Sequence, residues 1–350
     1  MNKEYVLLLL LALVILSCKK EDKITGPSFT KVEVDTLLHD SISIRAIVID
    51  GDKAWYAGSK GRYGWVPLTE GTGFVGIAAN DTIFPEFRAI AQTDEDIFIL
   101  HAGTPANLYR ISKNGKYTEV VYTEEGEKVF YDSMQFFNDK EGLAMGDPTD
   151  GCLSVIKTID GGHTWKKIDC STLPKAVEGE AAFAASNTNI IIQGNKVWMV
   201  SGGKKSRVYS SDDKGDTWNV YETPIVQGSE TKGIYGADFY DDRIGFAVGG
   251  DYTKPDDNSA NKIVTDDGGK TWKRVAENKA FGYASCVQFM PGSKGHELLS
   301  VGPAGLYYSY DDGQNWKKIF DDNQLHTLKF VDAKTVIAAG NKKIIRLKLK

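Results

Sequence analysis

Apolar residues in this chain come in short runs that stop at glycine. KAWYAG ends at Gly58, DIFILHAG at Gly103, EGLAMG at Gly146 and KVWMVSG at Gly202. RIGFAVG follows to Gly249, ELLSVG to Gly302 and TVIAAG to Gly340. The runs recur roughly every 45 residues, and each interval has room for four short strands joined by turns. Apolar positions at helical spacing are nearly absent. A four-stranded unit cannot bury both of its sheet faces alone, so such units must pack against one another.

A polar frame interleaves with these runs. TIDGGHTW (158–165), SDDKGDTW (211–218), TDDGGKTW (265–272) and SYDDGQNW (309–316) share the pattern Ser/Thr-x-Asp-x-Gly-x-Thr/Asn-Trp. Repetition at such spacing is the signature of a propeller or solenoid. The aspartates Asp160, Asp213, Asp267 and Asp311 follow a strand, where a carboxylate accepts backbone N–H bonds across a turn. The tryptophans Trp165, Trp218, Trp272 and Trp316 open the next strand and offer an apolar face to a neighbouring unit. His163 is replaced by Asp216, Lys270 and Gln314 in the other copies. The frame is therefore read as a structural outer turn, not as an Asp–His site.

These four frames resemble Asp-box (BNR) repeats, and the seven-unit pattern is most similar to photosystem II assembly-factor-like propellers of exported bacterial proteins. The resemblance spans roughly residues 29 to 350. It implies an all-β, seven-bladed β-propeller with Asp-box turns, in which the N-terminal strand of SFTKVEVDTL completes the last blade with KKIIRLKLK. The motif identifies a fold and says little about activity.

The first 28 residues read differently. An apolar run from Val6 to Leu16 is too short to span a bilayer and suits a signal-peptide core. The ILSC ending resembles a bacterial lipobox, which implies cleavage after residue 17, lipidation of Cys18 and a polar tether over 18–28. The expected location is a bacterial membrane, outer membrane by preference, with the propeller exported. Export permits disulfides. Cys152 and Cys170 flank TIDGGHTW and are read either as a cross-strand disulfide or as two buried free thiols. No Cys/His spacing suggests a metal site, and no cofactor is expected. The net charge of −5 and the lack of a basic stripe argue against nucleic acid as a partner.

Aligning the units places one residue of each near the entrance of its innermost strand: Arg45, Arg88, Asp132, Glu180, Tyr235, Tyr283 and His326. Two loops project onto the same face. GDPTDG contributes Asp147, and the long GGDYTKPDDNSAN contributes Asp251, Tyr252 and Lys254. Glu180 lies in the small-residue segment EGEAAFAASNTN, where a carboxylate among apolar neighbours could serve as a general acid or be a structural Glu.

Two functions follow. The preferred one is a monomeric, non-enzymatic scaffold that binds an envelope protein or polysaccharide. The alternative is a sialidase-like glycoside hydrolase, which needs three arginines, a Tyr–Glu nucleophile pair and an aspartic acid/base. The chain has eight arginines, only two of them in the expected ring, and lacks a Phe/Tyr-Arg-Ile-Pro motif near its start; SIRAI is the nearest approach.

Overall fold

A computed structural model describes residues 26–78 and 84–350. The signal peptide and Cys18 lie outside the described residues, as does all but the end of the tether. No helix occurs among the described residues, and none long and apolar enough to cross a membrane. The described chain is a β-propeller of antiparallel sheets.

The strands nearest the axis are Val32–Asp50, Phe87–Gln92, Tyr131–Phe136, Ile190–Gln193, Lys232–Phe239, Cys286–Phe289 and Leu325–Asp332. Each contacts the next, and the last returns to the first. Phe87–Gln92, Tyr131–Phe136 and Cys286–Phe289 are mostly buried, because both faces of an inner strand are covered by neighbouring sheets. Between sheets lie separate apolar cores, such as Trp55 and Tyr63 packed with Ile90 and Tyr109.

The expected seven blades are corrected: the described residues form six sheets. The cause is continuity in two long strands. Val32–Asp50 pairs first with the end of Thr335–Leu349, from Val32↔Leu349 to Ser43↔Asn341. It then pairs with Lys53–Gly58, from Ile44↔Gly58 to Asp50↔Lys53. Thr335–Leu349 likewise also pairs with Leu325–Asp332. The first and last units therefore merge into one six-stranded sheet. A second sheet is extended by the two-residue strands Glu180–Ala181 and Gly202–Gly203.

The Asp-box turns join third to fourth strands. Asp213 shows the chemistry: Oδ1 accepts from the Ser211 hydroxyl at 2.7 Å and the Thr217 N–H at 2.8 Å, and Oδ2 accepts from the Thr217 hydroxyl at 2.6 Å. Asp160, Asp267 and Asp311 repeat this pattern with Thr158 and Thr164, Thr265 and Thr271, and Ser309 and Asn315. These bonds account for the Ser/Thr and Thr/Asn positions of the frame. Those from Thr217, with Ser211, hold the Asp213 carboxyl at about 2. Trp165 packs on rings of two sheets, meeting Phe98 of the neighbouring sheet and Phe136 of its own edge-on at 6.2 and 5.6 Å. Gly162, at φ +78°, lies so close to the Phe98 ring that an added Cβ would approach it to 2.3 Å. His163 turns back to its own loop, with Nδ1 at 2.6 Å from the Asp160 carbonyl.

Candidate functional site

The strand ends opposite the Asp-box turns surround a cavity of about 670 Å³. Its walls include Arg45, Arg88, Asp147, Tyr235 and His326 from four different sheets, with Tyr252 and Tyr283 from loops.

The floor of the cavity is a segment that sequence reasoning treated only as small and apolar. Residues 182–188, in the connection ahead of Ile190–Gln193, cross the axis and reach every other inner strand. Asn187 Nδ2 donates to the Ile90 carbonyl at 2.8 Å, while its Oδ1 accepts from the Met134 N–H at 3.0 Å. Ser186 donates to the Ser285 carbonyl at 2.6 Å, and its own carbonyl accepts from the Thr327 hydroxyl at 3.1 Å. The Thr188 carbonyl accepts from the Ala237 N–H at 3.2 Å. Short polar side chains make this plug feasible, because each reaches a backbone group that the inner strands leave unpaired near the axis.

The two arginines rest on this plug. Arg45 Nη1 donates to the Ala185 carbonyl and Arg88 Nη1 to the Ala184 carbonyl, each at 3.2 Å. Neither has a carboxylate partner among the described residues. By contrast, Arg62, Arg110, Arg207, Arg274 and Arg346 each form an ion pair. Burial, and then the Arg88 charge alongside, lowers Arg45 to about 10, and its Nε is buried without an acceptor. Burial lowers Arg88 as well. A half-buried pair of like charges is unfavourable in the empty cavity and favours an incoming anion.

Acidic groups lie across from them. Asp147 accepts from the Ala182 N–H of the plug at 2.8 Å, and burial pushes its carboxyl up to about 6. Asp132 sits wholly buried, with neither oxygen hydrogen-bonded. Burial, and then Asp147, raises it well above the usual carboxylate range against the pull of Arg88. Burial and the two arginines lower His326 to about 3, so its ring is neutral; Nε2 lies 3.2 Å from Asn341 Oδ1.

An aromatic group forms the remaining wall. Phe183 stacks parallel to Tyr235 at 4.0 Å, and Tyr283 and Tyr252 meet Tyr235 edge-on at 4.7 and 6.3 Å. Burial raises Tyr283 to about 12.

Four expected site residues do not line the cavity. Asp132 lies beneath it. Asp251 turns inward to its own loop, accepting from the Thr253 hydroxyl at 2.6 Å, and Lys254 extends that turn. Glu180 is withdrawn altogether, because Arg207 reaches it with Nη2 at 2.5 Å, Ser201 at 2.5 Å and Tyr209 at 2.9 Å. This closed network braces the base of the plug and keeps the Glu180 carboxylate out of the cavity. Its Tyr–Glu contact has one arginine and no access to the cavity, and the cavity itself holds two arginines. Cys152 and Cys170 form a disulfide with Cα atoms 5.6 Å apart, and Cys286 is a buried free thiol. Among the described residues, no group of His, Cys, Asp and Glu side chains is arranged to hold a metal ion.

Comparison with known proteins agrees with this architecture. A BNR/Asp-box repeat model matches residues 263–274 and 307–318. No curated protein gives a significant sequence match. Among solved structures, "YCF48 bound to D1 peptide" is similar at TM-score 0.64 and 12% identity, covering 93% of this chain and 99% of that one. YCF48 from Cyanidioschyzon merolae is similar at TM-score 0.59 and 13% identity, covering 90% of this chain and 98% of that one. A GH74 xyloglucanase from Xanthomonas campestris is similar at TM-score 0.62 and 13% identity, covering 89% of this chain but 53% of the enzyme. The chain is a β-propeller that carries BNR/Asp-box repeats and is similar in fold to the YCF48 propellers.

Proposed function

We propose that this protein is an exported, lipid-anchored scaffold that binds a segment of an envelope protein in the axial cavity through an anionic group. The observation that carries the reading is the Arg45–Arg88 pair: two desolvated guanidiniums, side by side, each with one hydrogen bond to the plug and no carboxylate partner. A bound carboxylate or phosphate supplies the missing counter-charge with charge-assisted hydrogen bonds. The plug favours insertion of a side chain or chain end over threading of a polymer along the axis. YCF48, similar in fold, has been solved with a peptide, which supports a peptide over a polysaccharide as the ligand.

In this reading Val32–Asp50 and Thr335–Leu349 lie in one sheet so that the N-terminal strand clasps the ring. Cys18 carries the lipid, and Ser28–Phe29 bring the tether in at the Asp-box face, where the Ser28 N–H donates to the Tyr308 hydroxyl at 3.0 Å. The glycoside hydrolase reading is disfavoured by the two-arginine cavity and by the enclosure of Glu180.

The test is capture of envelope proteins by the parent and by Arg45→Gln/Arg88→Gln, whose melting temperatures should agree within a few degrees. The reading expects partners to be lost from the variant. An unchanged set of partners refutes it.

A further inference from the structure

The cavity is two-sided, and its second side carries information that the arginines do not. Phe183, Ala185, Tyr235 and Tyr283 form an apolar cluster of their own, separate from the cores between sheets. An apolar cluster in the mouth of a propeller is not needed to hold the sheets together. Tyr252 closes it at the rim, 54% exposed although its ring lies edge-on to Tyr235. Pro255 from the same long loop and Pro303 from the turn after Leu298–Gly302 in the adjoining sheet complete the wall. The Tyr235 hydroxyl is occupied by the Thr231 carbonyl at 2.7 Å, which fixes the ring. A rigid aromatic wall beside desolvated charge has the composition of a binding hot spot.

Resting on the function proposed above, we infer that the cavity is specific for a carboxylate placed next to an aromatic side chain: the carboxylate on Arg45 and Arg88, the ring on the wall made by Tyr252, Tyr235 and Pro255. Offset or edge-to-face packing with Tyr252 and Tyr235 rewards a flat ring over an aliphatic chain of similar area. The half-exposed Tyr252 is the ring with surface left to bury, so it determines selectivity, whereas Phe183 and Tyr283 keep the wall in place. A carboxylate at a peptide terminus and one on a side chain present the same chemistry to the arginines.

The test is titration of the purified mature domain, followed by NMR, with four probes: N-acetyl-phenylalanine, its amide, N-acetyl-glycine, and N-acetyl-aspartyl-phenylalanine amide. N-acetyl-phenylalanine is expected to bind at least tenfold more tightly than either its amide or N-acetyl-glycine. The aspartyl probe distinguishes a side-chain carboxylate from a terminal one: binding like the first probe means either source serves, and weak binding restricts the site to chain ends. Tyr252→Ala should bring N-acetyl-phenylalanine down to the level of N-acetyl-glycine, while Tyr252→Phe retains the difference. Equal binding of N-acetyl-phenylalanine and N-acetyl-glycine overturns the aromatic specificity and leaves the arginine site standing. Equal binding of the acid and its amide removes the arginine site instead. Absence of binding by all four overturns both.

Discussion

Replacing Asn187 by alanine tests whether the axial plug is held as described. The side chain satisfies two buried backbone groups, the Ile90 carbonyl and the Met134 N–H. Alanine leaves both without a partner at a buried position, at about 1–3 kcal/mol each. Asn187 also has φ +59°, a left-handed conformation that asparagine tolerates and that costs alanine roughly 1 kcal/mol more. The expected loss is about 4 kcal/mol. With an unfolding entropy near 2.1 cal/mol/K per residue, a propeller of this size loses roughly 6 °C in Tm. Differential scanning calorimetry measures this directly. Asn187→Gly removes the backbone strain but not the hydrogen-bond loss, and should recover about 1 kcal/mol of it. A Tm for Asn187→Ala within 1 °C of the parent refutes the plug as a fixed element.

Other consequences follow from the same geometry. Asp267→Ala removes the acceptor for the Thr271 N–H and hydroxyl and the Thr265 hydroxyl, and should cost about 1–2 kcal/mol by urea denaturation. Reducing the Cys152–Cys170 disulfide releases a loop spanning 18 residues and should cost about 3 kcal/mol, read as a lower Tm in reductant. Asp147 has a folded pKa of about 6, above its unfolded value, so its contribution to stability is fully present below the unfolded pKa and is lost as pH rises through about 6. Asp147→Asn should therefore stabilise the protein at pH 8 by about 3 kcal/mol and leave it little changed at pH 4. His326 is the opposite case: its pKa is lowered to about 3, so its contribution is present above the unfolded value and is lost as pH falls toward 3. His326→Gln should weaken the acid limb of the stability profile.

What was legible in the sequence was what repeats locally. The Asp-box frame carries its own hydrogen-bond partners within eight residues, so Asp160, Thr164 and Trp165 could be given roles from spacing alone. The glycine-terminated runs reported strands for the same reason. The plug was not legible, because 182–188 has no period and its partners at Ile90, Ser285 and Thr327 are each about a hundred residues or more away. Glu180 stood in the sequence either as a general acid or as a structural carboxylate, and its ion pair with Arg207, 27 residues away, could not be read from its neighbours. Arg45 and Arg88 were found because position in the unit, not local chemistry, singles them out. Their lack of carboxylate partners needed the fold. The sheet count departed from the repeat count because a strand can change partners along its length without any break in its pattern.

The proposed function requires that ligands be taken on the funnel face and not on the Asp-box face. A photo-crosslinking residue placed in cells at Tyr252, on the cavity rim, or at Asp216, exposed on an Asp-box turn, compares the two faces directly. The account predicts covalent adducts with an envelope protein from position 252, lost when Arg45→Gln/Arg88→Gln is added, and none from position 216. Adducts from position 216 alone, or from 252 regardless of the arginines, contradict it.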